Sequence, residues 1–216
     1  IVQFVRLDNH SRYRDEVIAA RVQVPLGQPL DSKALTTQVH QVYGLGTLSQ
    51  ATYEVVQEDG RTGVVLHVNE KSQGPNYLEA GLSASSDLNG RSNFNVRAGI
   101  LHSPLNDTGG EVRYLAQIGD EPGLLAEYYQ PFWLRGRWFF GARAQYENRK
   151  INVFDGAGNR TSEYDASQIG LSLNGGREFG NYGAAMAGLR RYTGNARVEI
   201  GDPSLPEDDY DIGEAF

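Results

Sequence analysis

At 216 residues with 39% hydrophobic content, and with no run near the roughly eighteen apolar residues that a spanning helix needs, the chain is not a helical membrane protein. Its 26 glycines and 12 tyrosines against one methionine and no cysteine favour a turn-rich β architecture, and they remove disulfides, thiolate catalysis and cysteine-based zinc together. A formal charge of −7 without any basic cluster argues against a nucleic-acid partner, and the missing thiols fit an oxidising compartment.

Residues 1–74 read as a small mixed α/β module. Ile1 to Leu7 alternates as a strand, so no signal peptide is in view; either it has been removed or the chain begins inside a longer protein. Tyr13 to Val22 and Asp31 to Tyr43 carry helical spacing, the second with Asp31 or Ser32 as N-cap and Gly44 as a stop. Ala51 to Gln57 and Gly63 to Val68 form two strands joined by Glu58-Asp59-Gly60-Arg61, giving the order β-α-α-β-β. Leu35, Val39 and Val42 are expected to face the sheet, with Val5, Val56, Val64 and Leu66 opposite them. A core of this size is marginal but sufficient.

From Pro75 to residue 216 the period is two. Phe94, Val96, Ala98 and Ile100 alternate with Asn93, Asn95, Arg97 and Gly99. Val112, Tyr114, Ala116 and Ile118 oppose Glu111, Arg113, Gln117 and Gly119; Trp138, Phe140, Ala142, Ala144 and Tyr146 oppose Arg143, Gln145, Glu147 and Arg149. These strands are about ten residues long, the length of a tilted strand crossing a bilayer. A soluble antiparallel sandwich alternates in the same way and stays open as a reading. Two features favour a barrel. Aromatics gather at segment ends (Tyr128, Tyr129, Phe132 and Trp133 before Leu134–Arg137; Trp138, Phe139 and Phe140 after it), as in an interfacial girdle. The connections also alternate in length: Ser103–Gly110, Leu134–Arg137 and Gly176–Asn181 are short inner turns, while of the outer loops Asp87–Gly90, Asp120–Gly123, Ile151–Glu163 and Val198–Asp209 the last two are long and polar.

Hydrocarbon offers backbone groups no partner, so such strands must close on one another. Seven strands and an eighth beginning near Asp209 fit a minimal barrel, or more readily the opening of a larger one. Their two unpaired edges invite a homodimer. Arg97, Glu111, Arg113, Glu127, Arg143, Glu147 and Arg149 would line the interior with both signs of charge.

The first half resembles a POTRA domain in order and length, and the second resembles the opening strands of a sixteen-stranded barrel of the BamA-like surface antigen superfamily. Phe4-Val5-Arg6-Leu7-Asp8-Asn9, Pro25-Leu26-Gly27-Gln28-Pro29-Leu30-Asp31 and above all Glu70-Lys71-Ser72-Gln73-Gly74-Pro75-Asn76-Tyr77-Leu78 resemble the translocator of patatin-like phospholipase autotransporters, type Vd. The resemblance implies a bacterial outer-membrane location with residues 1–74 in the periplasm and 75–216 in the barrel. Its implied partners are outer-membrane lipid, a passenger polypeptide in cis and the barrel-assembly machinery. It also implies a lipase domain upstream. Neither that domain nor the barrel loop with an Arg-Gly-aromatic motif lies in these residues.

No catalytic, cofactor or metal residues are assigned. Patatin chemistry needs a G-x-S-x-G elbow and a partner aspartate. Gly81-Leu82-Ser83-Ala84-Ser85 and Gly170-Leu171-Ser172-Leu173-Asn174 both fail at the last position, so Asp155-Gly156-Ala157 reads as hairpin-tip turn chemistry. His10, His40, His67 and His102 are dispersed without neighbouring carboxylates of ligand type. Asp202, Glu207, Asp208, Asp209 and Asp211 have the chemistry for calcium but not EF-hand spacing, and read as a solvated loop. The expected function is therefore that of an anchor and translocator, not an enzyme in this segment, though the full-length protein would be a patatin-like phospholipase. The alternative is part of a BamA/TamA-like assembly factor without an enzyme domain.

Overall fold

The computed structural model describes residues 1–86, 92–133, 138–179, 183–202 and 204–216. The chain runs β1 (Phe4–His10), α1 (Asp15–Ala19), α2 (Ser32–Tyr43), β2 (Leu48–Glu58) and β3 (Arg61–Glu70). It continues through β4 (Asn76–Ser86), β5 (Ser92–His102), β6 (Glu111–Gly119), β7 (Gly123–Trp133), β8 (Trp138–Phe154), β9 (Arg160–Glu178), β10 (Ala184–Ile200) and β11 (Asp208–Ala215). The β-α-α-β-β order expected for the first part is the observed one.

Helix α2 forms where its sequence supplies both ends. The Asp31 carboxylate accepts from the Ala34 N–H at 2.9 Å, satisfying one of the free donors of the first turn, and Gly44 closes the C-terminus. Its buried stripe, Leu35, Val39 and Val42, packs over the central strand β3 through Val64, Leu66 and Val68, together with Val2, Val17, Ile18 and Leu48. In the three-stranded sheet, ordered β1-β3-β2, β1 runs parallel to β3 and β2 antiparallel. Asp59 (φ 50°) and Gly60 (φ 73°) make the β2–β3 hairpin turn, both central residues in the left-handed region that a two-residue turn with matching strand twist requires.

Several details differ from the sequence reading. Val56 pairs with Gly63 and so lies on the face opposite Val64 and Leu66. Val5 is 40% exposed on the edge strand β1, although its β3 partner Val64 is buried. The first helix contracts to five residues, Asp15–Ala19, of which Val17 and Ile18 are buried. Strand β1 begins at Phe4, while Val2 exchanges backbone bonds with the 27–28 loop (Val2 N–H to Gln28 O, Gly27 N–H to Val2 O).

Strands β4 to β11 form one antiparallel sheet in strict sequence order, and among the described residues β4 and β11 remain its two edges. Strands β8, β9 and β10 are 17, 19 and 17 residues long, so much of Ile151–Glu163 and Val198–Ile200 is strand, not loop. Ile151 and Val153 in β8, and Val198 and Ile200 in β10, alternate with polar residues, so the period of two runs on into segments expected to be polar loop. The expected turns Asp87–Gly90 and Leu134–Arg137, and residues 180–181 of Gly176–Asn181, lie outside the described residues.

Candidate functional site

The register across the large sheet sorts its side chains into two faces. Leu78, Ile100, Tyr114, Ala126, Ala144 and Leu171 follow one another directly across six strands, and Leu82, Val96 and Ile118 make a second such row. This face is bare: Leu78 is 84% exposed and Leu171 60%, with Leu82, Ile118, Leu124, Ile169 and Leu173 similarly open. A contiguous apolar surface of that extent marks contact with hydrocarbon or another protein. A soluble sandwich would bury it under a second sheet, and none covers it among the described residues.

The opposite face is polar and internally paired. Arg113, Glu127, Arg143, Ser172, Arg190 and Glu214 are successive partners across β6 to β11. Arg113 Nη2 donates to Glu79 Oε2 at 2.8 Å, and Arg113 and Arg143 both approach Glu127, at 3.8 and 3.6 Å. Arg190 pairs with Glu214. Arg97 donates twice to Gln117 Oε1, and Arg149 meets Glu147 at 2.9 Å. All seven charged residues assigned to one face from the alternation share it; Arg190 and Glu214 join them, and the register alone reveals that. Some ion pairs depart from the division: Arg191 and Asp211 lie on the apolar side beside Leu189, with Arg191 Nε donating to Asp211 Oδ1 at 2.7 Å, and toward the far ends of β8 and β10 so do Lys150, paired with Glu199, and Arg197, paired with Asp209.

The small module is fixed to the turn between β5 and β6. The Arg14 N–H donates to Asp107 O at 3.0 Å, and the Arg14 guanidinium pairs with the Asp107 carboxylate. That pairing holds Arg14 above its ordinary pKa, the hydrogen bond being the main cause. The turn is braced: Asn106 Oδ1 accepts from Thr108 and Gly110, while Asn106 Nδ2 donates to Gln130 Oε1 at 2.6 Å, tying the turn to β7. On the module, β2 is an edge strand, with β3 on one side and, among the described residues, no strand on the other.

The sheet face away from the helices gathers a charged cluster. Parallel pairing of β1 with β3 brings Asp8 beside His67, with Nδ1 2.9 Å from Asp8 Oδ2, and His67 Nε2 lies 3.3 Å from Glu54 Oε1. His10 reaches the other Asp8 oxygen at 3.0 Å. The hydrogen bond to Asp8 raises the His67 pKa above its ordinary value, and the same bond lowers Asp8. His67 and His10 thus have carboxylate neighbours that sequence spacing concealed. No group of three or more potential ligands stands in metal-holding geometry among the described residues.

Asp155 forms the turn read from its sequence: its carboxylate accepts from the Ala157 and Asn159 N–H groups, and the Asn159 bond chiefly lowers its pKa. Glu207 and Asp209 are engaged by Arg197, and Asp202 accepts from the Ser204 N–H. Ser83 and Ser172 lie within β4 and β9, away from the strand-to-helix elbow that a hydrolase serine needs.

Neither family models nor curated protein sequences match the chain. Among solved structures it is similar to BamA from Haemophilus ducreyi lacking POTRA domains 1-3, with TM-score 0.65 and 14% identity over 99% of this chain and 42% of that one. It is also similar to CdiB from Acinetobacter baumannii, with TM-score 0.57 and 11% identity over 99% of this chain and 46% of that one. The chain spans less than half the length of either structure. At such identities the likeness is one of fold alone: this chain is folded like part of each of those two structures.

Proposed function

We propose that this chain is the anchor and translocator portion of an outer-membrane protein. In this reading residues 1–74 are a POTRA-like domain in the periplasm and 75–216 are the opening strands of a barrel of about sixteen. The observation that carries it is the division of eight strands, in one continuous antiparallel order, into a largely apolar face and a largely polar, ion-paired one: lipid would meet the first and the lumen the second. The open edge of β2 would hold an extended passenger segment by β-augmentation, in which main-chain bonds give sequence-tolerant affinity. The finer reading, a patatin-like phospholipase autotransporter inserted by the barrel-assembly machinery, rests on the resemblance of Glu70–Leu78 and its companions. In it this segment displays an enzyme and contains none.

These residues contain no cysteine, so with any cysteine elsewhere in the full-length protein replaced, a single thiol introduced here reports topology directly. In intact cells making the full-length protein, Asn159→Cys should react with a membrane-impermeant maleimide, whereas Lys33→Cys should react only after the outer membrane is permeabilised. Equal labelling of both in intact cells would overturn the orientation. Hydrolysis of a fluorogenic phospholipid by the full-length protein, and not by residues 1–216, is the expected sign of the lipase passenger.

A second reading, an assembly factor without an enzyme, is favoured by the fold likeness to BamA. It predicts no lipase activity, and loss of several other barrels from the outer membrane when the gene is deleted.

A further inference from the structure

The polar row that crosses β6 to β11 alternates in sign except at one position. Glu79, Arg113, Glu127 and Arg143 form one chain of ion pairs, and Arg190 with Glu214 resumes it. Between Arg143 and Arg190 the register places neutral Ser172, so two guanidinium side chains flank a single hydroxyl on one face. Two ladder steps, roughly 10 Å at the backbone, separate them. Each arginine commits one nitrogen to its carboxylate, Nη1 for Arg143 and Nε for Arg190, so neither pair is two-pronged. The Ser172 hydroxyl and the Asn174 side chain, two positions along the same strand face, have no hydrogen-bond partner among the described residues. These groups open onto a hollow of about 660 Å³ whose wall also includes Tyr129, Arg113 and the carboxylates Glu79, Glu111 and Glu127, so that away from Ser172 its charges are already matched.

Like charges on both sides of an uncharged polar residue, in a row otherwise balanced, leave a place for one negative charge. A carboxylate there accepts from both guanidinium groups, from the Ser172 hydroxyl and from the Asn174 amide, the charge-assisted kind of bond that is strongest. We infer that Arg143, Ser172, Asn174 and Arg190 form an oxyanion site that takes the carboxylate of an acidic side chain in a polypeptide lying along the polar face. The polypeptide occupant rests on the translocator reading; the oxyanion site rests on the register alone.

The test supplies the missing charge in cis. In the purified, folded full-length protein, Ser172→Asp should raise the thermal midpoint by about 2–4 °C over Ser172→Asn, which has the same size and no charge. An Asp- and Glu-containing octapeptide should bind at least about tenfold tighter than its Asn and Gln counterpart, the difference corresponding to the charge-assisted bonds. That preference should vanish in Ser172→Asp and in Arg143→Gln/Arg190→Gln. A midpoint for Ser172→Asp no higher than for Ser172→Asn would overturn the oxyanion site. Competition by inorganic phosphate with no preference for the acidic peptide would overturn the polypeptide occupant. Failure of the topology labelling above, with the Ser172→Asp shift intact, would remove the translocator reading and leave the site standing.

Discussion

Tyr13 of the module lies against Gly109 in the β5–β6 turn, its ring edge 2.9 Å from where a Cβ on that glycine would stand. Tyr13 is itself buried, with its hydroxyl accepting from Thr47 Oγ1 at 3.0 Å, so the ring has little room to retreat. Gly109 also holds a φ of 93°, which a side chain tolerates poorly. Together these features add a tight contact at one small residue to the Arg14–Asp107 bonds that join module and sheet.

Gly109→Ala should therefore loosen that junction at a cost of about 1–3 kcal/mol, strain and contact combined. Limited trypsin digestion of the folded protein is expected to cut faster after Arg12, Arg14 or Arg21. Asp107→Asn, which removes an exposed ion pair, should have the smaller effect of about 1 kcal/mol or less. Equal digestion of wild type and Gly109→Ala would show that the contact does not restrain the module.

Adjacent residues on opposite faces of β8 offer a direct test of which face meets lipid. Ala144 stands between Ala126 and Leu171 on the apolar face, and Gln145 between Leu125 and Gly170 on the polar one. If the apolar face lies in hydrocarbon, Ala144→Arg should cost about 2–4 kcal/mol near the bilayer midplane. Gln145→Arg should stay within about 0.5 kcal/mol, as a solvated substitution does. Reversible folding into lipid vesicles, followed by tryptophan fluorescence, measures both; similar costs at the two positions would refute the lipid assignment.

Those faces were legible in the sequence because each strand names its own: in β6 every apolar residue from Val112 to Ile118 is followed by a polar or small one, except at Leu115. The α2 cap at Asp31 and the Asp59-Gly60 turn were legible for a similar reason, since few residue types suit those backbone conformations. Contacts between distant segments were not. Asp8 and His67 meet only because β1 pairs parallel with β3, and Tyr13 meets Gly109 only through docking. Arg191 gave no warning either, for its place beside Leu189 depends on the β9–β10 register.

The Asp8–His67 pair gives the module a pH dependence of defined sign. His67 is raised in the folded protein, chiefly by Asp8 and further by Glu54, so its contribution is complete below the ordinary histidine value and fades as pH rises through the raised one. Asp8 is lowered, so its contribution is complete above the ordinary carboxylate value and fades as pH falls through the lowered one. The pair is strongest between about pH 4 and 6.5, the two ordinary values. The urea midpoint of the module, read by pulse proteolysis, should fall as pH rises above that window, and His67→Gln should flatten the fall. An unchanged slope in His67→Gln would assign the dependence elsewhere.

The open edge of β2 supports the last prediction. Proline removes a backbone donor; placed where the N–H points away from β3 it strips the free edge, and placed where the N–H points toward β3 it breaks the sheet itself. Single prolines along Ala51–Gln57 should therefore alternate in effect, because β2 pairs with β3 in unbroken register over those residues. At edge-facing positions the module should stay folded while capture of an extended passenger peptide falls about tenfold, the loss of roughly one main-chain hydrogen bond. At sheet-facing positions folding should fail. If edge-facing prolines leave both peptide capture and secretion unchanged, β2 is not the strand on which the passenger is held, and β1, the other edge of the same sheet, becomes the strand to substitute next.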